Sequence, residues 1–253
     1  MAVTKEKISK DLEEAFLDNA SMGMEEVGAE DMQMPFIRLI QPLSPQLDKE
    51  RSEYIEGASA GEICNTATKQ VWTGDEGLLV IPVYYQMKYL EFVPRTSGGG
   101  FVSELSPTDP MIAEAQRDEN NLEMLKSGNE LVRTAQHYVK IVHENGELES
   151  AVVDLKKTAL KKSRYWNSLM AMQKIKGKTM PSFANTYRLV TIEESNDKGS
   201  WYNVNPKLEG IVSELDAFND AKEFSVALKS GSIALAPPSQ EQVQLGSDEE
   251  VPF

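Results

Sequence analysis

From residue 77 to residue 95 the chain reads GLLVIPVYYQMKYLEFVPR, and this segment commits it to a β-rich fold. Residues 77–85, whose apolar run is broken only by Pro82, read as a buried strand rich in β-formers. Residues 88–94 are expected to be the next strand, paired with it. Tyr84 and Tyr85 are adjacent, so a pleated strand turns one inward and the other outward. On the N-terminal side, residues 35–45 (PFIRLIQPLSP) give a short apolar strand closed by prolines, and 61–68 a further strand before the turn Trp72-Thr73-Gly74-Asp75. On the C-terminal side, a glycine loop (Gly98, Gly99, Gly100) precedes a strand at 101–105. Residues 108–127 are acidic and helix-forming, an excursion between strands. Strands at 130–143 and 148–155 flank Glu144-Asn145-Gly146-Glu147, the strongest hairpin signal in the chain. A helix is expected from 156 to about 176, then strands at 183–193 and 201–205. A last helix is expected from Pro206 to Lys229, stopped by Gly231.

This pattern predicts a mainly β (α+β) fold: an oligonucleotide-binding (OB)-like β-barrel with inserted and appended helices. A β-sandwich has a similar strand count. Three regions are expected. Residues 1–34 form an acidic N-terminal helix (5–20) and linker, 35–233 the OB-like core, and 234–253 a disordered tail poor in core residues.

Composition narrows the chemistry. The 253 residues hold 26 Lys and Arg against 40 Asp and Glu, a formal charge of −14, with one cysteine and two histidines. A lone Cys64 excludes an internal disulfide and a multi-thiolate metal site. No phosphate-cradling GxxxxGK[ST] loop, GxGxxG turn, GxSxG elbow or HExxH pair is present. The N-terminus lacks the apolar core of a secretory signal, and no stretch nears the roughly 18 apolar residues of a membrane span. A cytoplasmic protein is expected, without cofactor or metal. His137 and His143 lie six residues apart on one strand, too far to share an ion.

The acidic total conceals an uneven distribution. Residues 154–190 carry nine bases and one acid, Asp154, whereas 1–34 sum to −6 and 235–253 to −4. A basic block in an acidic chain is the footprint of polyanion binding. On a helical wheel, Leu155, Ala159, Trp166, Leu169 and Met170 gather on one side and Lys157, Lys161 and Arg164 on the other. Trp166 is therefore expected in the core and the cations on a phosphate-facing surface, flanked by Lys156 and Lys174. Tyr84 or Tyr85, Tyr89, Lys88 and Arg95 on the neighbouring strands are candidate stacking and phosphate contacts. Asp154-x-Lys156 matches half of one nuclease signature, but Asp109 and Glu149 stand at no recognisable spacing from it.

The chain ends Ser247-Asp248-Glu249-Glu250-Val251-Pro252-Phe253. This resembles the acidic tip of bacterial single-stranded-DNA-binding proteins, which end in acids followed by Ile-Pro-Phe. The remaining segments resemble phage-encoded single-stranded-DNA-binding proteins: PFIRLIQPLSP, YIEGASAGEICNT, the 77–95 segment, KKSRYWNSLM and AKEFSVALKSG. The resemblance implies an OB-type core and non-catalytic, sequence-tolerant binding of single-stranded DNA in phage replication or recombination. It also implies a tail recruiting partner enzymes through Asp248, Glu249, Glu250, Val251, Pro252 and Phe253. A solubilising tail gains nothing from a terminal aromatic, which favours partner capture independently. A nuclease using Asp154 and Lys156 and a virion structural or assembly protein are the alternatives.

Overall fold

The computed structural model describes residues 9–20, 22–26, 34–197 and 199–233. The tail expected to be disordered lies outside the described residues. Contacts divide the chain into two units, Met1–Gln33 and Met34–Phe253. The first contains α1 (Lys10–Asp18), with the Ser9 side chain accepting from the Leu12 N–H as an N-cap; residues 5–8 of the expected helix lie outside the described residues.

The second unit is mainly β. Its strands are β1 (Phe36–Leu39), β2 (Ile63–Asn65), β3 (Val71–Trp72), β4 (Leu78–Phe92), β5 (Phe101–Leu105), β6 (Gln116–Arg117), β7 (Glu123–Met124), β8 (Glu130–Val142) and β9 (Leu148–Lys156). A small β10 (Lys174–Ile175) and β11 (Lys178–Thr179) hairpin precedes the long β12 (Asn185–Asn196) and β13 (Gly199–Ile211). Helix α2 (Pro110–Glu114) lies between β5 and β6, α3 (Leu160–Met172) between β9 and β10, and α4 (Leu215–Ser230) follows β13.

The main sheet runs β13-β12-β4-β8-β9-β1-β2-β3. Strands β4, β8 and β9 form an antiparallel meander, and the chain returns through α3 so that β12 lies beside β4. That is a Greek-key arrangement. The sheet also curls. Gln41, just past β1, donates from Nε2 to the Tyr202 carbonyl and accepts from the Tyr202 N–H, both at 2.9 Å, bringing β1 to β13.

Both faces of the central strands are covered, which is why they read as apolar runs. On one face Leu78, Val80, Val139, Ile141, Val153 and Leu189 pack with Trp166 of α3. On the other, Ile81, Val83, Tyr138 and Val152 pack with Phe224 and Leu228 of α4. Gly231 at φ +75° terminates α4 as expected, its N–H donating to the Ala227 and Leu228 carbonyls.

Three expectations are corrected. Residues 77–85 and 88–94 are not two paired strands but one 15-residue strand, β4, and its partner is β8. Pro206 does not open the last helix. It sits within β13 opposite Leu189, where a strand at the end of the sheet tolerates a residue without an N–H. The basic helix starts later: Lys157–Ala159 is a 3-10 turn, and the chain after Met172 forms the β10–β11 hairpin.

Candidate nucleic-acid interface

Strand alternation settles the tyrosine pair. Tyr84 faces the α4 side, its ring 5.8 Å from that of Tyr138, while Tyr85 is 38% exposed on the α3 side. Tyr85, Met87 and Tyr89 share that face, and register with β8 sets His137 opposite Tyr85 and Arg133 opposite Tyr89. The Arg133 guanidinium stands 5.2 Å from the Tyr89 ring centroid, a cation–π pair. Lys88 points the other way. It is 5% exposed and paired with Glu104 at 2.9 Å, so it is structural rather than a surface contact as expected.

The exposed ring of Tyr85 rests on a buried aromatic column. His137 lies 5.1 Å from it and stacks on Trp166 at 4.5 Å, and Trp166 meets Tyr187 edge-on at 6.0 Å. Burial drives the His137 pKa down to about 3, so its imidazole is neutral and shares a 2.8 Å hydrogen bond with Ser163. Burial raises the Tyr85 pKa, with Tyr89 adding to the rise while a hydrogen bond with Ser163 and the charge of Arg164 oppose it. Trp166 is fully buried, as the helical wheel predicts.

Beside this face is a cleft of about 230 Å³ between residues 117–123, the start of β8 and the beginning of α3. Arg117, Arg133, Lys157 and Arg164 line it against two carboxylates, Glu123 and Glu130. Glu123 bridges Arg117 at 3.2 Å and Arg133 at 2.6 Å, and Glu130 meets Lys157 at 3.4 Å. The acidic excursion thus supplies counter-charges to the cationic wall. Arg164 is exposed at the mouth, next to Tyr85.

The expected cationic row is only partly assembled. Lys161 and Lys162 both pair with Glu194 of β12, at 3.1 and 3.0 Å. Burial opposes ionisation of Glu194, but hydrogen bonds from Asn203, Lys162 and Lys161 outweigh it and hold the pKa at about 2. Lys161 thus stands beside a carboxylate, as Arg133 and Lys157 do, with more than half of its side chain exposed. Lys174 is exposed on β10, and Lys156 is half-buried at the end of β9. The Arg95 side chain and residues 248–253 lie outside what the structure describes.

The nuclease alternative finds its residues engaged separately. Asp109 caps α2 through the Met111 N–H, and Glu149 accepts from Asn65 and pairs with His143 at 3.0 Å. Glu149 and Asp154 are five residues apart on β9 and face opposite ways. Among the described residues, no group of three or more His, Cys, Asp or Glu is placed to hold a metal ion.

Lys157 has φ +50°, a left-handed conformation that costs a non-glycine residue about 1–2 kcal/mol. It turns the chain from β9 into α3 and stands, with Thr158, between the cleft above and a second cavity at the seam of β1, β9 and β13. A functional site is where such strain concentrates.

A family model described as Pam3 phage gp34-like protein matches residues 5–234. The chain belongs to this phage family. No curated protein and no solved structure matches it. The phage affiliation expected from the sequence therefore stands, and among the described residues no helix is long and apolar enough to cross a membrane. Sequence reasoning missed Arg117 and Arg133. Arg133 becomes visible only when β4 is taken as one strand, because its place opposite Tyr89 follows from that register.

Proposed function

We propose that this protein binds single-stranded DNA without catalysis, tolerant of sequence, in phage replication or recombination, through an OB-like barrel. The observation that carries the reading is the combination on one surface of Tyr85 and Tyr89 with Arg133, Arg164 and Lys157 around an open cleft. Aromatic faces stack bases of any identity, and the cations follow the phosphates. The Greek-key meander with a helix before its return strand suits an OB-type barrel. Binding of fluorescent oligo(dT) at rising salt is the test. Tight binding to single strands, weak binding to duplex and no cleavage with Mg²⁺ support the reading; no single-strand binding at low salt overturns it.

Stacking has its own signature. Tyr85→Ala is expected to weaken oligo(dT) binding by about 1–3 kcal/mol with little change in salt dependence, because the ring carries no charge. Fluorescence anisotropy at several salt concentrations checks this, and unchanged affinity removes Tyr85 from the interface.

The C-terminal tip completes the proposal as a recruiter of replication or recombination enzymes. Deleting residues 247–253 is expected to abolish pull-down of such enzymes, with Phe253→Ala alone doing most of the damage. The same deletion should tighten oligonucleotide binding, most visibly at low salt, because the tail's acids compete for the basic surface. A truncated protein that keeps its partners and binds no more tightly leaves the tip as a solubilising end.

A further inference from the structure

The basic block of residues 154–190 has a second half that the tyrosine–arginine cleft does not use. Of its bases, Lys157, Lys161, Lys162 and Arg188 are each held by a carboxylate from another element. Lys174, Lys176 and Lys178 are not. All three are exposed, and none forms an ion pair among the described residues. No acid occurs in the sequence between Asp154 and Glu193, so their charge is locally uncompensated.

These lysines occupy the β10–β11 hairpin, a two-stranded ribbon separate from the main sheet among the described residues. Register sets Lys174 opposite Thr179 and Ile175 opposite Lys178, so the turn holds two residues, Lys176 and Gly177. Both have positive φ, +49° and +79°, as a type I′ turn requires. The base of the ribbon is fixed. The Met180 N–H donates to the Gln173 carbonyl at 2.9 Å, and Gln173 donates from its own N–H to the Met170 carbonyl at 3.1 Å. The Gln173 Nε2 donates to the Leu169 carbonyl at 3.0 Å, which seats the hairpin on the C-terminal end of α3. Every residue from 174 to 179 is exposed, Ile175 by 59%.

The hairpin carries no aromatic ring, so a single strand would find phosphate contacts there but no platform for its bases. A duplex needs no platform, because its bases are already stacked. Its major groove, about 12 Å wide, admits a two-stranded β-ribbon. Lysines are compact charges on flexible stems and contact phosphates without demanding one geometry. Ile175 adds an exposed apolar side chain beside them, of the kind that meets thymine methyl groups in that groove. Arg164 and Met172 are eight residues apart on α3, about 12 Å along its axis. The ribbon therefore stands clear of the tyrosine–arginine cleft while being carried by the same helix.

We propose that the β10–β11 hairpin grips the backbone of double-stranded DNA, so that the protein binds preferentially where a single strand meets a duplex. The inference rests on the single-strand reading and adds to it the kind of DNA site the protein selects. Three lysines alone give weak duplex binding, so a blunt duplex remains a poor ligand. A substrate with both parts engages both surfaces at once.

The test compares oligo(dT), a blunt duplex, and a duplex carrying the same oligo(dT) as an overhang. The wild-type protein is expected to bind the overhang duplex about tenfold more tightly than oligo(dT) at 0.1 M salt. Its salt dependence should be steeper by up to about 2.7 logarithmic units per decade, about 0.9 for each duplex phosphate contact. A triple variant, Lys174→Gln with Lys176→Gln and Lys178→Gln, should lose this increment and keep its oligo(dT) affinity. The charge-preserving set Lys174→Arg, Lys176→Arg and Lys178→Arg should retain it, and urea midpoints verify that both variants are folded. An overhang duplex bound no better than oligo(dT), or an increment that survives in the glutamine variant, overturns the duplex contact and leaves the single-strand reading intact. Equal losses on oligo(dT) and the overhang duplex also overturn it, because the lysines then lie on the path of the single strand. If oligo(dT) does not bind while lysine-dependent duplex binding is present, the single-strand reading fails alone. Binding to none of the three ligands overturns both.

Discussion

Trp166→Ala is expected to lower the unfolding free energy by about 3–5 kcal/mol, the cost of emptying a fully buried indole site. The side chain has no exposed surface, stacks on His137 at 4.5 Å and meets Tyr187 at 6.0 Å, inside the cluster that joins α3 to the sheet. Its removal leaves the packing between α3 and β8 without a centre and withdraws the support beneath Tyr85. Trp166→Phe should cost much less. It keeps a ring against His137 and deletes an indole Nε1 that has no hydrogen-bond partner, a buried donor whose desolvation is uncompensated. Urea midpoints of the three proteins check the order. A Trp166→Ala midpoint equal to wild type is incompatible with the tryptophan carrying the α3 interface.

The position of Trp166 was readable because a helix repeats every 3.6 residues and the wheel needs no partner to be drawn. The same holds for the Asn145-Gly146 turn between β8 and β9, where Gly146 at φ +84° performs what its residue type predicts. The β4 strand was misread for a reason of packing. Gln86 and Lys88 interrupt the apolar pattern where the strand is nonetheless covered, and Lys88 is buried only because Glu104 of β5 neutralises it. A break in hydrophobicity therefore looked like a turn. Pro206 misled through a local rule, helix initiation, that the twelve pairs of the β12–β13 ladder override.

The charge pattern shows the deeper limit. Nine bases between 154 and 190 are visible in the sequence, but which of them can meet a phosphate depends on acids that arrive from other strands. Glu194 takes Lys161 and Lys162, and Glu209 takes Arg188, from positions that only the sheet brings near. Conversely, Arg117 and Arg133 belong to no basic run and still join the cleft. A one-dimensional charge count identifies the neighbourhood. Strand register decides the individual contacts.

That distinction gives the last expected result. Neutralising Arg133, Lys157 and Arg164 together to glutamine should weaken oligo(dT) binding about 10–100-fold at 0.1 M salt and flatten the salt dependence by about 1–2 logarithmic units per decade. Each phosphate contact on a single strand contributes about 0.7 to that slope through counterion release, so three independent contacts set the upper value. The lower value applies because Arg133 and Lys157 already face Glu123 and Glu130, at 2.6 and 3.4 Å. A phosphate that displaces a protein carboxylate releases fewer counterions than one that meets a solvated cation. Arg164, exposed beside Tyr85, should account for the largest single share. Lys161→Gln with Lys162→Gln is the contrasting pair. Both cations are held by Glu194, so their loss should leave the slope nearly unchanged. Salt titrations of the folded variants decide between the two flanks of α3. If the lysine pair flattens the slope and the Arg133, Lys157 and Arg164 set does not, the strand runs over the β12 side of the helix and the tyrosine cleft is not its path.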